Sequence, residues 1–189
     1  MGLKISGAGN NSEVRVDSDG FLRTRPRNEV EDGRRYAVVG VTETLTDAAK
    51  TPVMYLFNKS LKTLDVLKIR VSSGPSTGGS GAGKVEIAYN DNNDFTSTAA
   101  MSIRNCNRGA GEELSGHITA NTGDTGDTIT ATGEANVGPH SLNQNSNVEN
   151  TDKVILKPGH GLVVYVTAPA SNTGMTVDIA AYLEIGEDD

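Results

Sequence analysis

The chain has 189 residues, a net charge of −7, 22 glycines, 4% aromatic residues and no tryptophan. This length suits one well-buried domain with an appended segment, and the glycine content favours short strands and tight turns over a helical bundle. The acidic balance argues against nucleic acid as a partner, and no apolar run approaches the roughly 18 residues of a membrane span.

The first 34 residues are predicted to form an extended N-terminal arm or hairpin. Residues 13–26 are typical of a strand, a turn and a second strand, with the bend at Asp17-Ser18-Asp19-Gly20. Residues 27–35 are charged and break the strand pattern. The arm has so few apolar residues that contacts with a partner must supply the free energy that orders it.

Residues 35–189 are predicted to form an all-β domain. Segments rich in β-branched and aromatic residues recur at short spacing, without the helices of βαβ units, which favours an antiparallel β-sandwich or jelly roll. Only 45–52 has a helical pattern, of one or two turns at most. The predicted strands are 36–43, 53–60, 64–73, 84–90, 99–105, 113–120, two strands within 153–169 about Pro158-Gly159, and 174–186.

Residues 74–85 come close to a phosphate-binding P-loop, with Gly78-x-x-x-x-Gly83-Lys84. The full motif needs Ser or Thr after the lysine to ligate magnesium, and a helix to follow. Val85 occupies the hydroxyl position, and residues 84–89 alternate between polar and apolar as a strand does. We therefore interpret the stretch as a Gly/Ser-rich linker between strands and predict no bound nucleotide.

Residues 121–152 are predicted to be a long polar loop with little to bury, too long for an ordinary connection. Loops of this kind are usually functional. Asp124 and Asp127 make calcium conceivable, a glycan is a second option, and a solvated loop without a ligand is favoured.

No residue pattern indicates an enzyme, a metal or a cofactor. The single Cys106 excludes an intramolecular disulfide and a Cys-rich zinc site, and His117, His140 and His160 are too widely spaced for a zinc motif. A two-carboxylate glycosidase stays open, but few aromatic residues are present to stack on sugars.

Three segments resemble structural proteins of tailed bacteriophages, above all capsid decoration (cement) proteins. The sequence "GAGNNSEVRVDSDGFLRTRP" is similar to the N-terminal segments of phage virion proteins, and "VMYLFNKSLKTLDVLKIRVSSG" to their strand, Asn-x-Ser, strand passage. "ILKPGHGLVVYVTAP" resembles the Pro-Gly hairpin of jelly-roll virion domains. Together these segments cover 57 of the 189 residues.

The resemblance implies a non-enzymatic jelly roll that binds the major capsid protein as a homotrimer, with the arm reaching neighbouring subunits. It implies a location on the virion, and the first six residues lack the apolar core of a signal peptide, so we expect synthesis in the bacterial cytoplasm. Neither a cofactor nor a small-molecule substrate is expected. The residues of the arm predicted to contact the partner are Arg15, Phe21, Leu22, Arg23 and Arg25.

Two alternative functions stay open. A tail or baseplate component of the same virion has no sequence feature that separates it from a capsid protein. A lectin-like receptor-binding jelly roll would use the loop at 121–152 as its binding surface.

Overall fold

The structure, a computed structural model, has β-strands as its regular elements throughout the described residues. It describes residues 12–16, 22–26, 34–41, 44–45, 49–77, 82–92, 99–106, 118–122, 129, 131–134, 140–143, 145–171 and 174–185. The strands are β1 Ser12–Val16, β2 Leu22–Pro26, β3 Arg35–Val41, β4 Lys50–Asn58, β5 Leu64–Thr77, β6 Gly83–Tyr89, β7 Ala99–Ala100, β8 Ser102–Asn105, β9 Ile118–Thr122, β10 Gly133–Glu134, β11 His140–Leu142, β12 Asn147–Asn150, β13 Val154–Leu156, β14 Gly161–Thr167 and β15 Gly174–Ile185.

The strands form two large antiparallel sheets that pack face to face, with β1 and β2 in a separate two-stranded sheet. Sheet I has the order β12-β5-β15-β3-β8, and β13 also pairs with β5. Sheet II has the order β10-β6-β14-β4-β9-β7, and β11 also pairs with β6. The predicted all-β, antiparallel sandwich is therefore confirmed.

The strand order is that of a jelly roll. The chain passes from β3 in sheet I to β4 in sheet II, back to β5 and across to β6. It returns through β10 and β11 beside β6, crosses to β12 and β13 beside β5, and finishes through β14 and β15 in the sheet centres. These crossings interlock two Greek keys. Strands β7, β8 and β9 form an insertion that widens both sheets on the opposite edge.

Strand β15 shows most directly why the sheets pack. Its side chains alternate between buried and more exposed along the strand, the period of two expected when one face meets a core. The residues predicted to share a face are all buried in the main core: Met175, Val177, Ile179, Ala181, Leu183 and Ile185. Opposite them lie inward residues of sheet II such as Met54, Leu56, Leu162 and Val164.

Several local predictions are wrong. In the described part of 45–52 the structure has no helical turn, because Leu45 forms a β-bridge with Met175 and Lys50–Asn58 is a strand that pairs with β14. The two strands about Pro158-Gly159 do not form a hairpin with each other. Strand β13 pairs with β5 in sheet I and β14 with β4 and β6 in sheet II, so the turn connects the two sheets.

Two further segments, 99–105 and 121–152, differ from their predictions. The strand predicted at 99–105 splits at the buried Met101, with β7 in sheet II and β8 in sheet I. Within 121–152, predicted to be a polar loop, β10 and β11 extend sheet II and β12 extends sheet I. Backbone pairing with β5 and β6 stabilises these short polar segments, and Leu142 contributes a fully buried side chain.

Candidate interaction surfaces

The N-terminal hairpin carries most of the residues that the sequence marks as partner-binding. Its register pairs Glu13 with Arg25, Arg15 with Arg23, and Val16 with Leu22. Four of the five predicted contact residues, Arg15, Leu22, Arg23 and Arg25, lie in this hairpin, and Phe21 lies outside the described residues. An isolated two-stranded hairpin is marginally stable at best.

Part of the 121–152 segment, which was predicted to be a polar loop, lies over the outer face of sheet II. A second apolar cluster, separate from the main core, lies on this face, and Ile129 packs against it. The hydroxyl of Tyr165 donates a hydrogen bond of 2.8 Å to the carbonyl of Ile129. The buried residues of the cluster are Tyr55, Phe57, Ala88, Val163 and Tyr165. A glycan-binding role for these aromatic residues is disfavoured, because their side chains are already buried within the chain.

The outer face of sheet I is open and polar by comparison. Lys68 lies 2.8 Å from Glu149, and Lys153 lies 2.6 Å from Asp65. The hydrogen bond from Lys68 holds the pKa of Glu149 below its usual range, partial desolvation opposes this effect, and the charges of Lys68 and Arg70 lower the pKa further. The stabilisation from this carboxylate is present above its unfolded pKa and is lost as the pH falls through its folded pKa.

Asn58 organises the end of the sandwich where β4 meets the turn between β13 and β14. Its side chain is fully buried, and Nδ2 donates to the carbonyls of Lys62 and Leu156 at 2.8 and 2.9 Å. Its Oδ1 accepts from the backbone N–H of Ser60 at 3.0 Å and lies 2.7 Å from the Ser60 hydroxyl. This geometry explains the Asn-x-Ser passage physically: the asparagine closes an Asx turn and joins two loops.

Asp91 connects further segments at the same end. One carboxylate oxygen lies 2.9 Å from Nδ1 of His160 and accepts a 3.5 Å hydrogen bond from the backbone N–H of Gly161. The other oxygen accepts a 3.3 Å hydrogen bond from the hydroxyl of Thr132. Asp91 and His160 are both exposed, so solvent screens their ion pair and its contribution is small.

Other predicted sites are placed as follows. Lys84 and Val85 lie in strand β6, so a strand follows the glycine-rich stretch, as its alternation predicts. His140 and His160 lie in different parts of the fold, while His117, Asp124 and Asp127 lie outside the described residues. Among the described residues, no group of three or more His, Cys, Asp or Glu side chains is placed to hold a metal ion.

No protein-family model matches the chain, and a search of curated proteins finds no match. In the part of the chain that the structure describes, no helix is long and apolar enough to cross a membrane.

Proposed function

We propose that this protein is a non-enzymatic structural component of a tailed-bacteriophage virion that decorates the capsid. In this proposal the jelly roll sits on the major capsid protein as a homotrimer, and residues 1–34 extend to neighbouring subunits. The chain would be made in the bacterial cytoplasm and act on the virion.

The observation that carries the proposal is the separate hairpin of β1 and β2. Among the described strands it pairs with neither sheet of the jelly roll, and its two strands carry four of the five residues predicted to contact the partner. Several weak attachments of this kind, repeated on a rigid trimer, act at high effective concentration and hold a decoration protein on a shell. The resemblance of this segment to N-terminal segments of phage virion proteins supports the same function.

The proposed homotrimer is tested separately from binding to the capsid. Light scattering of the purified chain at high micromolar concentration is expected to give about 59 kDa, three times the 19.8 kDa of one chain. The physical reason is that both sheets end in short strands whose outer edges are stabilised by a neighbouring copy. A mass of about 20 kDa under these conditions would contradict a homotrimer.

The function is tested by co-sedimentation of the full chain with empty capsids and, in parallel, with isolated tails of the same phage. Pelleting with capsids alone supports decoration, whereas pelleting with tails alone would assign the chain to the tail or baseplate. The lectin-like alternative is tested on a glycan array, where the proposal expects no specific binding.

A further inference from the structure

We draw no further inference here: the strongest candidate, the outer face of sheet I around Val39, Ala180 and Tyr182, is an open sheet face, and nothing in the structure shows what covers it.

Discussion

Replacement of Gly161 by alanine is expected to destabilise the jelly roll severely. Gly161 begins β14, between β4 and β6 at the centre of sheet II. A Cβ at this position would collide with the carbonyl oxygen of Asn90 and would lie 3.0 Å from both the carbonyl oxygen of Leu56 and the ring of Phe57. Glycine is required here by the close approach of neighbouring backbones, since a rigid carbonyl cannot turn aside as a flexible side chain can.

We expect Gly161→Ala to cost about 3 kcal/mol, at the upper end of the range for overpacked interiors, and to lower the melting temperature by about 6–12 °C. Gly133→Ala is the matched control, because its added Cβ has only the ring of Tyr89 nearby, at 4.0 Å. Thermal unfolding of both variants checks the account. A Gly161→Ala protein as stable as the control would mean that the strands separate at little cost.

Removal of the Asn58 side chain is the second change with a large expected effect. Asn58→Ala removes the Nδ2 donor to the carbonyls of Lys62 and Leu156 and the acceptor of the Ser60 N–H, while the hydroxyl of Ser60 still donates to the Lys62 carbonyl. The loss of a buried hydrogen-bond partner costs about 1–3 kcal/mol, so we expect a total loss of about 3 kcal/mol and a separation of the loop after β4 from the turn between β13 and β14. Denaturant unfolding measures the loss.

The control for this variant is Asn150→Ala. Asn150 is also a buried asparagine, but its side chain makes hydrogen bonds only to Asp152, within one local turn. Asn150→Ala should cost about 1–2 kcal/mol, because it removes two local hydrogen bonds of about 0.5–1.5 kcal/mol each. Equal losses in Asn58→Ala and Asn150→Ala would show that the connection between loops adds nothing beyond a local turn.

Sequence reasoning succeeds where a structural signal is local. The alternation in β15 identifies its buried face residue by residue, because one side of the strand meets the core along its whole length. The hairpin of β1 and β2 follows from the turn chemistry of Asp17–Gly20 between two strand-forming segments. The antiparallel sandwich itself follows from many short strands without intervening helices.

Pairing between distant segments could not be predicted in this way. The Pro158-Gly159 turn is evident from its residues, but the strands on its two sides belong to different sheets because their partners lie elsewhere in the chain. Within 121–152, strands β10 and β12 are mainly polar and only two and four residues long. Such strands depend on their partners, so a single-sequence pattern shows only a loop.

The sequence also contains a signal that both faces of sheet II are covered. The apolar runs 53–57 and 162–166 do not alternate, and nearly continuous apolar strands indicate burial on both faces. That pattern requires a segment over the outer face of sheet II, which Ile129 supplies in the part of the chain that the structure describes.

The central claim, that the N-terminal arm anchors this protein to a capsid, is tested most directly by the capsid occupancy of a chain that lacks residues 1–34. The truncated chain is expected to melt only slightly below the full chain. Among the described strands β1 and β2 pair with each other and with neither large sheet, while the deletion removes from the jelly roll the contacts of Arg34, whose carbonyl accepts a 3.0 Å hydrogen bond from the N–H of Ile185. It should occupy far fewer sites than the full chain, since the arm brings apolar side chains worth about 1.5–3 kcal/mol each when well buried. Added salt should further weaken the full chain, because its arginine contacts are screened. Equal occupancy by the truncated and full chains, measured on the same empty capsids, would contradict the claim.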